Sequence, residues 1–167
     1  MKLTILVSVA LLAPLCLIAP ANGYSPQDLE QLKKTGSCAR CDLSGAPLNQ
    51  LNLVDANLRN ANLNRANMSQ VNLERADLSG ANLEAADLTG ATLTGASLTG
   101  TNLKSATLEN ADLTRAGLIA VNLEGTNLQG AKMKFVNLRG ANFRLTTMPD
   151  GVVTPDHNYR SQKEVTP

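Results

Sequence analysis

The chain has 167 residues, with 15 Lys and Arg against 14 Asp and Glu and a formal net charge of +1; this length fits one domain with small appendages and excludes a large multidomain enzyme. Aromatic residues are 2 % of the chain and Trp is absent, so a core built on large rings is excluded, and the 17 % charged fraction lies below the roughly one quarter of an average globular chain. Neither the basic footprint of a nucleic-acid binder nor an acidic disordered tail is present.

Residues 1–23 place Lys2 before an apolar run from Leu3 to Ala19, the pattern of a secretory signal peptide cleaved after Ala21 or after Gly23. Pro14 interrupts the run and no basic stop-transfer cluster follows, so no stable membrane insertion is expected once the leader is removed. Cys16 follows Pro14 and Leu15, a poor context for lipidation. Loss of Lys2 leaves 14 positive and 14 negative residues in the mature chain, in a compartment that permits disulfides. Next, Ser25-Pro26-Gln27-Asp28 reads as a helix cap, a proline at the first helical position and an acidic first turn. The spacing predicts a helix from about Pro26 to Lys34, with Leu29 and Leu32 on one face and Gly36 as the stop. Residues 24–40 are then an N-terminal cap helix and linker, 41–150 the repeat region, and 151–167 a C-terminal cap and tail.

From Cys41 to Asp150 the chain divides into 22 consecutive pentads without insertion. With the central residue of each called i, Leu occupies it eighteen times, and Met68, Met133, Phe143 and Met148 fill the rest. Position i−2 is Ala fourteen times, and i−1 is Asn eleven times and Asp four times. A five-residue step turns an α-helix by about 500°, which scatters the leucines around its axis. An odd step also flips a side chain across a straight strand, so the chain must turn once per pentad. Positions i−2 and i then point inward across a short extended face, i−1 points outward, and i+1 and i+2 make the corner. The output is an all-β solenoid whose core includes Leu43, Leu48, Leu53, Leu58, Leu63, Leu73, Leu83, Leu103, Leu123 and Phe143.

Runs such as Ala56-Asn57-Leu58-Arg59-Asn60, Ala61-Asn62-Leu63-Asn64-Arg65 and Ala81-Asn82-Leu83-Glu84-Ala85 resemble the A(D/N)LXX signature of the pentapeptide-repeat proteins. The resemblance implies a right-handed quadrilateral β-helix with four pentads per coil, hence about 5.5 coils and a height of roughly 26 Å at a strand spacing of about 4.8 Å. Residues twenty apart then stack. One i−1 column becomes Asp42, Asn62, Asn82, Asn102, Asn122 and Asn142, a candidate amide ladder. Its i+1 neighbour ends in Glu84, Lys104, Glu124 and Arg144, alternating in sign. Asn82, Glu84, Asn102, Lys104, Asn122 and Glu124 are therefore the candidate interaction face. The leader, the cap helix and the Cys38-to-Ala46 junction together are similar to exported or lumenal cyanobacterial members, which implies a periplasmic or thylakoid-lumenal location.

Cys38 and Cys41 form a CxxC, which serves a redox couple, half a zinc site or a structural disulfide. Zinc wants about four ligands, and the lone His157 leaves the set short. A redox couple wants its first Cys at a helix start, whereas Cys41 sits at an inward repeat position. A disulfide tying the cap helix to the first coil is the favoured reading, with two free thiols the alternative. At the other end Met148-Pro149-Asp150-Gly151 breaks the pattern, and Thr154 to Lys163 starts with a cap-then-Pro signal for a second short helix.

No catalytic, cofactor-binding or metal-ligating constellation is expected. His157 is the only candidate base, and the glycines at 80, 90, 95 and 100 are corner residues matching no phosphate-binding loop. The expected function is a non-enzymatic, monomeric structural or interaction module with an unidentified protein partner and no nucleic acid. Two alternatives stand beside it. The resemblance implies a DNA-mimic topoisomerase inhibitor, against which the neutral balance and the leader both count. A thiol redox carrier would use Cys38 and Cys41.

Overall fold

The computed structural model of the chain describes residues 23–155. The expected leader, apart from Gly23, and the helix expected from Thr154 to Lys163, apart from its first two residues, lie outside the described residues.

A backbone that turns every five residues has no room for a long strand, so each short face must find its hydrogen-bond partners in neighbouring coils. Parallel bridges join every i−1 residue to its counterpart twenty residues on, from Ser37 with Asn57 to Asn127 with Thr147, and recur at five-residue intervals. One coil is therefore twenty residues with four faces. Face 1 holds the pentads beginning at residues 41, 61, 81, 101, 121 and 141; face 2 holds those from 46 to 146, face 3 those from 51 to 131, and face 4 those from 36 to 136. The i−1 N–H donates to the coil below, as Asn82 does to the Ala61 carbonyl at 2.9 Å. The i and i+2 N–H groups donate to the coil above, as Leu83 does to Asn102 at 2.8 Å and Ala85 to Lys104 at 2.9 Å.

Two expectations need correcting. Among the described residues the β structure consists of isolated bridges, not of strands, because the corner interrupts the ladder after each bridging residue. The repeat also begins one pentad earlier than Cys41: Ser37 stacks on Asn57, and Cys38 occupies the i position, fully buried where other pentads place Leu.

Most corners are turns closed by a bond such as Ala86 N–H to the Leu83 carbonyl, 3.1 Å, with the i+2 residue in the left-handed region. Arg65 and Ala85 adopt this conformation at φ 57°, a steric cost that glycine avoids. Gly80, at φ 70°, has a second reason to lack a side chain: a Cβ there would strike Oδ1 of Asn60, stacked beneath it.

Inside the tube, Leu43, Leu48, Leu58, Leu63, Leu73, Leu83, Leu103 and Leu123 are completely buried, and Leu53 and Phe143 nearly so. Alanine at i−2 leaves the volume that each Leu fills. Where Thr replaces it, the hydroxyl has a fixed partner: Thr101, Thr126 and Thr146 donate to the carbonyls of Leu78, Leu103 and Leu123 at 3.0, 2.7 and 2.6 Å. No buried side-chain polar atom among the described residues lacks a partner.

Helix α1 (Pro26–Thr35) closes the first coil. Ser25 Oγ accepts from the Asp28 N–H at 3.2 Å, and Gly36, left-handed at φ 68°, returns its N–H to the Leu32 carbonyl. Leu29 and Leu32 bury against the tube, and Asp28 Oδ2 takes the downward Asp42 N–H at 2.8 Å. At the far end residues 152–155 fold back antiparallel, with Val153 bridged to Thr147 and Thr154 buried.

Leu83→Ala is expected to lower the unfolding free energy by about 2–5 kcal/mol, read from denaturant melts. Leu83→Asp, an unpaired charge in an apolar tube, is expected to abolish the folded far-UV spectrum. A normal spectrum and melt for the Asp variant would place Leu83 outside the core.

Candidate functional site: an amide and charge face

Every face repeats one local device. The i+1 N–H points outward, away from both neighbouring coils, and the Asn or Asp at i−1 accepts it: Asp77 Oδ1 from Ser79 at 2.9 Å, Asp112 Oδ1 from Thr114 at 3.0 Å, Asn102 Oδ1 from Lys104 at 3.1 Å. This is an Asx turn, and it accounts for Asn and Asp filling fifteen of the repeat's i−1 positions. Reading the columns only as ladders misses it; the signal was the polar residue two places after nearly every Asn or Asp.

Face 1 adds a second layer. Asn62 donates from Nδ2 to Asp42 at 3.0 Å, Asn102 to Asn82 at 3.1 Å, Asn122 to Asn102 at 3.2 Å and Asn142 to Asn122 at 3.1 Å. The Oδ1 atoms of Asp42, Asn82, Asn102 and Asn122 therefore each serve a turn and a ladder together, and the ladder has no bond between Asn62 and Asn82. The charge column closes around Glu124, whose Oε1 lies 3.5 Å from Lys104 Nζ and 3.2 Å from Arg144 Nη1. Glu84 takes a different partner from the simple alternation, accepting from Asn102 Nδ2 at 3.3 Å. The structure thus brings Asn82, Glu84, Asn102, Lys104, Asn122 and Glu124 together on one half-buried surface, with most polar groups committed to each other.

Other faces carry ion pairs set by the twenty-residue stack. Arg75 grips Asp55 in a fork at 2.8 and 2.9 Å and also meets Glu74. Its hydrogen bond holds the Asp55 carboxyl below the usual range. Asp77 is pushed up by partial burial, but hydrogen bonds from Ser79 and the neighbouring Arg59 outweigh that and leave it lowered. Asp112 is lowered by hydrogen bonds from Thr114, with Lys132 adding to them.

Cys38 and Cys41 are both buried and lie in one disulfide, S–S 2.03 Å, between the two first pentads and beneath α1. Among the described residues no three His, Cys, Asp or Glu side chains converge as metal ligands, and no helix is long and apolar enough to cross a membrane. His157 lies outside the described residues.

Residues 37–75, 76–115 and 111–144 match the family described as pentapeptide repeats. Among solved structures, the chain is similar to the pentapeptide repeat protein Rfr23 from the cyanobacterium Cyanothece 51142, with 29 % identity and a TM-score of 0.68 over 74 % of this chain and 95 % of that one. A pentapeptide repeat protein from the Arabidopsis thaliana thylakoid lumen is 27 % identical over 69 % of this chain and 70 % of that one, TM-score 0.43. QnrB1, a plasmid-mediated fluoroquinolone resistance protein, shares the fold at 23 % identity and TM-score 0.55, over 67 % of this chain and 59 % of that one. No curated protein matches the chain.

Asn102→Ala removes one turn bond and the ladder bonds on both sides, and is expected to cost about 1–3 kcal/mol in denaturant melts. The depressed carboxyls of Asp77 and Asp112 contribute stability that is fully present above the unfolded value of about 3.9 and is lost as pH falls through their lower folded values. The Asp77→Asn/Asp112→Asn double variant should accordingly show a shallower loss of Tm between pH 5 and pH 2, measured against the parent chain (~3 pH units of scan).

Proposed function

The chain belongs to the pentapeptide-repeat family, whose members form right-handed quadrilateral β-helices, and from that premise we propose that it is a non-enzymatic protein-interaction module exported to a periplasm or thylakoid lumen. Its working surface in this reading is face 1, with Asn82, Glu84, Asn102, Lys104, Asn122 and Glu124 at the centre. The observation that carries the reading is the self-locked register of that face: the amides are held by one another, and Glu124 is held between Lys104 and Arg144. Side chains already fixed before binding lose little rotamer freedom on docking, which lowers the entropic cost of association. The mixture of amide, carboxylate and ammonium groups in a regular grid suits a protein surface of complementary pattern better than a polyanion, which would meet Glu84 and Glu124.

The leader over residues 1–23 and the Cys38–Cys41 disulfide support export, because such a bond persists in oxidising compartments. The disulfide ties the face-4 and face-1 pentads of the first coil together under α1, a staple at one terminal coil of the solenoid. The chain acts as a monomer with its side free for the partner.

Two measurements test the proposal. N-terminal sequencing of the protein recovered from an exported fraction is expected to begin at Asn22 or Tyr24; recovery of Met1 from the cytosol alone would overturn export. That exported protein, used as bait, is expected to capture a partner that is lost with a Glu84→Lys/Lys104→Glu/Glu124→Lys variant of unchanged melting temperature. Capture unaffected by the triple change would remove face 1 from the interaction.

A further inference from the structure

The two ends of the tower are finished differently. At the first coil the groups of faces 4 and 1 meet the cap: Ser37 N–H donates to Thr35 Oγ1, Asp42 N–H to Asp28 Oδ2, and the Asp42 carbonyl accepts from Ser25, while on face 2 Pro47 has no N–H to satisfy and on face 3 the Asn52 N–H has no partner among the described residues. At the last coil the returning segment 152–155 covers only part of the edge. Leu145 donates to the Thr154 carbonyl at 2.9 Å, Met148 to Val152 at 2.8 Å, and Thr146 to Thr154 Oγ1 at 3.0 Å, which serves part of faces 1 and 2.

Among the described residues nothing covers the ends of faces 3 and 4. One coil lower, Leu113, Arg115, Leu118 and Ala120 donate upward to Lys132, Lys134, Asn137 and Arg139. Their counterparts Met133, Phe135, Leu138 and Gly140 have no N–H partner among the described residues, and the carbonyls of Ala131 and Val136 likewise accept nothing. The inward side chains follow suit. Leu113, Ala116 and Leu118 are buried, whereas Met133, Val136 and Leu138 are only partly so, and Phe135 is 78 % exposed over Arg115. The same two pentads carry Lys132, Lys134 and Arg139, all exposed, and no Asp or Glu occurs between Glu124 and Asp150. Lys132 reaches Asp112 in the coil beneath at 3.4 Å; Lys134 and Arg139 make no ion pair among the described residues.

We propose that this open edge, pentads 131–135 and 136–140, is a docking site for an extended acidic segment of a partner protein, which adds a half-coil to the tower by backbone pairing. The unmade N–H and C=O groups require a peptide backbone, because lipid chains offer no hydrogen bonds to them. The inward apolar residues require two apolar side chains five residues apart. Lys132, Lys134 and Arg139 select carboxylates at the outward positions. A second copy fits poorly: end-to-end pairing about a two-fold axis sets these three cations against their own equivalents. Head-to-tail stacking is blocked by α1, which occupies the other end. This site is separate from face 1 and does not depend on the reading given to that face.

The test uses the full chain expressed with its leader and purified from the exported fraction. The probe is a fluorescein-labelled peptide of two Ala-Asp-Leu-Glu-Gly units, with two Ala-Lys-Leu-Lys-Gly units as the reversed-charge control. The acidic peptide is expected to bind and to slow amide exchange at Met133 and Leu138. Lys132→Glu/Lys134→Glu/Arg139→Glu, with melting temperature retained, is expected to weaken it by about tenfold or more and to favour the basic peptide. Equal binding of both peptides, or no binding, overturns the proposal. So does slow exchange at Met133 and Leu138 in the free protein that is lost on deleting residues 156–167, which would assign the edge to the chain's own tail. A concentration-dependent dimer by sedimentation, abolished by Leu138→Lys, would assign it to a second copy. Binding to phosphatidylglycerol vesicles without peptide binding would assign it to a lipid surface.

Discussion

The constraint on which everything else rests is that a three-residue face has no local partner for its backbone. The i−1 N–H reaches a carbonyl twenty-one residues back and the i N–H one nineteen residues ahead, so each face is completed only when the chain has gone once around. Twenty residues is thus a closure condition. A single inserted residue would send every later i side chain outward and take its backbone off its partners, which explains why the pentad register runs unbroken to Asp150. The tube is narrow enough that one Leu and one small residue per face fill it. The Thr substitutions at i−2 are tolerated because the carbonyl of the coil below has a lone pair to spare for each hydroxyl.

Most of the architecture was legible because periodicity is a global signal that no single substitution erases. The inward Leu and Ala, the cap of α1 and its Gly36 stop all follow from spacing and local chemistry. What was not legible depended on residues that do two jobs or the wrong-looking one. Cys38 hides the first pentad because a cysteine stands where Leu marks the others. Asn102 looks like a ladder residue, yet its Oδ1 first satisfies Lys104 of its own turn. Arg75 sits beside Glu74 in the chain, yet its fork is spent on Asp55 in the stacked coil. Glu84 stands opposite Lys104 in an alternating column, yet it takes an amide hydrogen instead. Side-chain choice among equidistant partners is decided by rotamer and reach, which one-dimensional columns do not contain.

The same geometry divides what the sides and ends of the tower are able to recognise. Along the sides the coil-to-coil backbone groups are paired and the Asx turns consume the outward i+1 N–H groups, so side chains and the i+2 carbonyls of the corners remain to discriminate. A face offers rows at the coil spacing of about 4.8 Å, and its information is the order of signs and amides along that axis. Where these groups are locked, as around Glu124, the surface is stiff and selective by register. Where they are exposed ion pairs, as at Arg75, they add little to stability.

The ends differ because there the backbone itself is available. Closing an end means supplying donors and acceptors one by one, as α1 and its neighbours do with Asp28, Thr35 and Ser25, and the absence of an N–H at Pro47 removes one requirement altogether. Segment 152–155 supplies a smaller set at the last coil, to Leu145, Thr146 and Met148. An edge left with apolar side chains alone would invite any strand, including another copy of the chain. The cations of pentads 131–135 and 136–140 restrict that invitation by repelling their own kind, so the charge pattern that solubilises the end also chooses what is allowed to complete it.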